Sequence, residues 1–113
     1  MSGSYEEIRE RYRKSALEWA AASDNPDLAN RLFDRLYALY KVIRDLEDGK
    51  RALVSLMNDP EVPVRLMAAT HSLPIAPEIA QQVLEDLERR ADLYSVTAKY
   101  TLKGWRAGKL DLD

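Results

Sequence analysis

Apolar residues recur along most of this chain at intervals of three and four, the spacing of one helical face. No useful stretch alternates with the period of two that a half-buried strand requires. Tyr5, Ile8, Tyr12, Ser15, Trp19 and Ala22 form a first stripe. It is preceded by Ser4 and Glu7 at the spacing of a capping box, so a helix over 5–22 is predicted. Asp24-Asn25-Pro26 is a stop followed by a start signal, with a capping side chain and a proline at the first helical position. Leu28, Leu32, Leu36, Leu39, Ile43 and Leu46, widened by Phe33, Tyr37 and Tyr40, predict a second helix running to about Glu47, with Gly49 as its stop.

The pattern then shortens. Leu53, Leu56 and Met57 predict a helix over 50–58, which Asn58-Asp59-Pro60 breaks. Val64, Ala68 and Ala69 predict another over 63–72. Leu73-Pro74-Ile75-Ala76-Pro77 reads as a stiff apolar connector whose last proline opens a fifth helix, burying Ile79, Ala80, Val83, Leu84 and Leu87. Asp92 is placed to cap a sixth, with Val96, Tyr100, Leu102 and Trp105 as its apolar positions and Gly108 as its end. Gly104 lies inside that helix at a cost of about 1 kcal/mol against alanine, for which a close backbone approach is a candidate reason. The third and fourth helices are echoed by the fifth and sixth about 30 residues on, Leu53 and Leu56 by Val83/Leu84 and Leu87, and Ala68 by Ala98. The paired alanines let two helices pack closely. The expected fold is therefore all-α, a right-handed stack of three antiparallel hairpins over 5–47, 50–73 and 77–107, in a single domain of residues 1–113.

Composition narrows the chemistry. The chain has 113 residues, no cysteine and a formal net charge of -2, with Lys and Arg spread evenly over its halves. Thiolate catalysis, disulfides and cysteine zinc sites are excluded, and no basic field exists to attract a phosphate backbone. Met1-Ser2-Gly3-Ser4 opens no apolar signal segment, and no apolar run reaches membrane-spanning length, so a cytoplasmic location is expected.

His71 is the single histidine and has no partner at metal-ligand spacing; it reads as a packing residue before a functional one. The acidic groups Glu6/Glu7/Glu10, Asp45/Glu47/Asp48 and Glu85/Asp86/Glu88 are interleaved with cations and read as solvated faces. Ser15, Ser55, Ser72, Ser95 and Thr101 stand in helical patterns without a nucleophile turn. No glycine loop suits a phosphate. No enzyme, cofactor or metal is expected.

The run from Asp59 through Val64-Arg65 and Ala68-Ala69 to Leu73 resembles the HEAT-type helical repeat, a likeness that implies an Asp59–Arg65 ion pair along the stack and a structural role for Ala68 and Ala69. More widely, Val64 to His71, Ile75 to Glu78 and Thr101 to Leu110 resemble a family of small bacterial HEAT-like proteins of unassigned function. Such proteins are often encoded beside polymorphic toxins, and some are immunity proteins. The resemblance implies a non-enzymatic protein-binding module whose partner is another protein, most concretely a toxin encoded nearby. Candidate contacts are Arg65 and His71 on the fourth helix and Tyr100 and Trp105 on the sixth. Two alternatives stand beside it. One is a scaffold or homodimer using the Tyr5/Tyr12/Trp19 stripe. The other is a nucleic-acid-binding module, which the glutamates among Arg9, Arg11, Arg13 and Lys14 disfavour.

Overall fold

The computed structural model describes residues 4–113; Met1-Ser2-Gly3, part of the expectation about a signal segment, lie outside them. The described residues form six helices: α1 Tyr5–Ala21, α2 Pro26–Ile43, α3 Glu47–Leu56, α4 Val62–Ser72, α5 Pro77–Glu88 and α6 Leu93–Arg106. They divide into two compact units, Met1–Leu53 and Val54–Asp113.

In the first unit α1 and α2 form an antiparallel hairpin. Tyr12 and Tyr40 are both fully buried, and Trp19 meets Phe33 with ring centroids 6.4 Å apart, so partners rise along one helix as they fall along the other. Burial, reinforced by the neighbouring Tyr40, pushes the Tyr12 hydroxyl well above its ordinary pKa. Ser4 Oγ accepts from Glu7 N at 3.3 Å, and Asn25 Oδ1 accepts from Leu28 N at 3.2 Å, with Pro26 behind it. Both starts lie where the sequence places them. In the stripe of Tyr5, Tyr12 and Trp19, Tyr12 is fully buried, while Tyr5, with Arg51 4.6 Å over its ring, and Trp19 are half-buried.

α2 ends four residues before the expected Glu47, and α3 begins at that residue. Gly49 is not a stop but the third residue of α3. A Cβ on Gly49 would collide with the Ile43 carbonyl oxygen and stand 2.7 Å from its carbon and 2.9 Å from Ile43 Cβ. Glycine is required here by a close approach of two backbones rather than by a helix terminus. Glu47 and Asp48 occupy the first turn of α3, where carboxylates complement the helix dipole. α3 unwinds through bonds from Met57, Asn58 and Asp59 N to Val54, Ser55 and Leu56 O.

In the second unit α4 is the central helix: Pro63, Val64, Leu66, Met67, Ala68, Ala69, His71 and Ser72 are all buried. It packs on α5 and α6, which pack on each other. α5 and α6 are antiparallel, since Arg106 near the end of α6 reaches back to Gln81 and Glu85. Asp92 caps α6, its Oδ1 accepting from Tyr94 N at 3.0 Å. Arg90 bonds the same carboxyl and holds it below the usual carboxylate range. Gly108 ends α6 with φ +70° and a Schellman pair of bonds, Gly108 N to Trp105 O and Lys109 N to Gly104 O.

The 30-residue echo is visible as burial: Leu53, Leu56 and Ala68 in one set, Leu84, Leu87 and Ala98 in the other, are at most 2 % exposed. The fold class is all-α and HEAT-like. Five residues of the expected apolar stripes are exposed, however: Phe33 and Leu46 at 41 % and 44 %, and Ile79, Val96 and Tyr100 at 55 %, 57 % and 60 %. In α6 the inward face is Ser95, Ala98 and Leu102. The small side chains of Ser95 and Ala98 let the backbone come close to its neighbours, and that turns the larger apolar side chains outward.

Candidate protein-binding surface

The outward face of α6 is built by the same register that buries Ser95, Ala98 and Leu102. Leu93, Val96 and Tyr100 follow one another at i, i+3 and i+7, so they fall within about 60° of the helix circumference and over about 10 Å of its length. Leu93 is the most exposed of the three, at 69 %. Lys99 Nζ lies 6.0 Å from the centroid of the Tyr100 ring. Lys99 and exposed Lys103 border one side of the stripe, and Thr97 and Thr101 the other.

Charge is segregated between the two helices of this hairpin. From Leu93 to Lys109 the chain carries Lys99, Lys103, Arg106 and Lys109 and no carboxylate; from Pro77 to Glu88 it carries Glu78, Glu85, Asp86 and Glu88 and no cation. Arg106 joins the two, its guanidinium donating to Glu85 at 2.8 Å and to Gln81 at 3.2 Å. α6 thus presents an apolar strip with a basic border on a chain whose net charge is negative.

The other expected contact residues are dispersed. Arg65 is half-buried; its Nη1 donates to the main-chain oxygens of Asp59 at 2.8 Å and Pro60 at 3.2 Å. The buried Asp59 carboxylate accepts from Glu61 N at 2.9 Å. The Asp59–Arg65 link seen here therefore runs through the main chain around the α3–α4 turn. Arg65 also lines a shallow cleft of about 290 Å³ with Met57, Asn58, Val83, Asp86 and Arg90. His71 is 1 % exposed, and desolvation lowers its pKa to about 3, so it is a neutral interior residue and not a surface contact. Ala68 and Ala69 are fully buried. Trp105 is half-buried and turned by about 140° from Tyr100 on the wheel of α6, away from the exposed stripe. Of the four candidate contacts, only Tyr100 stands on the apolar strip. Of its neighbours there, Val96 is expected in the core from the sequence, and Leu93 is not singled out by it. The signal was a second i, i+3, i+7 series, Ser95, Ala98 and Leu102, on the opposite side of the helix, which competes for the core.

The acidic groups are solvated and paired with neighbours, as in Glu47–Lys50, Asp48–Arg51 and Asp86–Arg89. Among the described residues no group of three or more His, Cys, Asp or Glu side chains could hold a metal ion. No described helix is long and apolar enough to cross a membrane. In the first unit a small groove of about 170 Å³ between α1 and α2 is lined by Ile8, Leu39, Val42, Ile43 and Leu46, with Glu7 and Arg11 at its rim.

These features define a small all-α protein of HEAT-like helical hairpins with an exposed apolar strip on α6. The chain belongs to the family described as a domain of unknown function (DUF2019), whose sequence model matches residues 9–104. The crystal structure of the protein RPA1889 from Rhodopseudomonas palustris is similar to it with a TM-score of 0.84, covering 96% of this chain and 93% of that one at 24% identity. At that identity the likeness speaks for the fold alone. No curated protein matches the chain.

Proposed function

We propose that this chain is a non-enzymatic protein-binding module and that α6 supplies its binding face. The observation that carries this reading is the exposed series Leu93, Val96 and Tyr100 on the last helix of the hairpin series. α6 carries three large apolar side chains in a row on its exposed face, the kind of surface that marks an interaction site. Tyrosine among them is a good interface anchor. The finer reading is that the partner is a toxin neutralised by this binding, which rests on the resemblance to small HEAT-like immunity proteins.

Affinity purification of the chain from its native cells tests the reading. A protein recovered in stoichiometric amount with the wild-type chain, and lost when Val96 and Tyr100 are both replaced by serine, is the expected result. Recovery of the chain alone would overturn it. Toxicity of that partner when expressed without this chain, relieved by co-expression, is the outcome the immunity reading requires.

A further inference from the structure

The geometry points to the chemistry of the α6 partner: an acidic amphipathic helix of another protein, lying along Leu93, Val96 and Tyr100 with its carboxylates toward Lys99 and Lys103. This rests on the protein-binding reading and specifies its ligand. The strip is one helix wide and about two turns long, which suits the i, i+3, i+7 apolar residues of a single partner helix. Its border is basic on one side and neutral on the other; residues 93–109 hold no carboxylate, and the adjacent Asp92 is bonded to Arg90 at 2.7 Å.

Three other occupants fit less well. A bilayer surface or a nucleic-acid duplex is broader than one helix and would bring its phosphates over α5. That neighbour carries Glu78, Glu85, Asp86 and Glu88 with no cation among residues 77–88. A second copy pairing α6 on α6 sets lysines against lysines. A second copy offering its acidic α5 presents Ile79 as the one strongly exposed large apolar residue there, because Ala80, Leu84 and Leu87 are buried. A foreign acidic helix satisfies both the apolar strip and its border.

The test uses the full chain and two synthetic helical peptides with the same leucine stripe, one flanked by glutamates and one by lysines. Binding is read by fluorescence anisotropy at low salt, and the face by amide chemical shifts. The glutamate peptide is expected to bind about tenfold more tightly than the lysine peptide, through a few exposed charge pairs. Its shifts should be confined to α6 and its caps. The double variant Lys99→Glu/Lys103→Glu should reverse the preference, and Val96→Asp should abolish binding of both peptides while the thermal transition is retained. Equal binding of the two peptides, binding of neither, or binding that survives Val96→Asp would overturn the proposal. Pelleting with phosphatidylglycerol vesicles, or a dimer in sedimentation that Val96→Asp dissolves, would assign the strip to a membrane or to a second copy instead. Native partner capture separates the two levels. A partner retained by Val96→Asp leaves the protein-binding reading intact and removes α6, whereas the absence of any partner removes the reading itself.

Discussion

Gly49 and Gly104 both sit inside helices, yet their surroundings differ. Gly49 leaves no room for a methyl group, because Ile43 backbone lies where its Cβ would be; at Gly104 an added Cβ would stand 3.7 Å from Leu110 Cβ, an ordinary contact. The close approach suggested for Gly104 is therefore present but loose, while the one at Gly49 was missed. Overpacking against fixed backbone outweighs the helix propensity that alanine gains. Gly49→Ala should lose about 2 kcal/mol or more, and Gly104→Ala should be neutral or gain up to about 1 kcal/mol. Chemical denaturation of the two variants distinguishes these signs. His71 gives a second prediction at this scale. Its pKa is about 3 in the folded chain, against an ordinary value of 6.5, because the charged ring would be desolvated. Below the unfolded value the unfolded chain takes up a proton that the native one refuses. Stability is therefore lost as pH falls from 6.5 toward 3, by up to about 1.4 kcal/mol per pH unit and about 2 kcal/mol at pH 5. His71→Asn should flatten this slope in calorimetric melts between pH 7.5 and 5. An unchanged slope would mean that the native ring is protonated too.

The elements follow local chemistry closely where caps and prolines speak. Asn25-Pro26, Pro77 and Asp92 start helices, and Gly108 ends one, all by interactions between neighbours in sequence. The α5–α6 turn is different. Ala91 adopts φ 57°, the left-handed region in which an L side chain is strained, and nothing in Arg89-Arg90-Ala91-Asp92 announces it. Ala91→Gly relieves that strain and should raise stability by about 0.5–1 kcal/mol, after the extra entropy of the unfolded glycine is offset. A rise in the denaturation midpoint with an unchanged slope would show it; a fall would mean that the turn is not held in this form. The orientation of α6 belongs to the same scale. Its sequence offers two faces, Leu93/Val96/Tyr100 and Ser95/Ala98/Leu102, and the more apolar one is turned to solvent.

For the whole molecule, net charge is a poor guide to the chemistry of the proposed binding face. The formal charge of -2 suggests a basic partner, but the acidic and basic residues of the last hairpin lie on separate helices, and the apolar strip belongs to the basic one. Binding at α6 should therefore weaken several-fold between low and physiological salt, mainly through slower association, as the lysine border is screened. Stopped-flow measurements across an ionic-strength series would show this; salt-independent rates would leave the lysines without a role. The sequence by itself determined the helical class, five of the six helix starts to within a residue and the repeat that buries Leu53, Leu56, Leu84 and Leu87. These depend on interactions within one helix or its caps, which a pattern of residues records. Tertiary structure alone decided three things. Ile43 came against Gly49 inside α3, burial made His71 neutral, and burial of Ser95 and Ala98 left Val96 and Tyr100 outside. Each depends on how near a second segment comes, a distance that spacing along one helix does not contain.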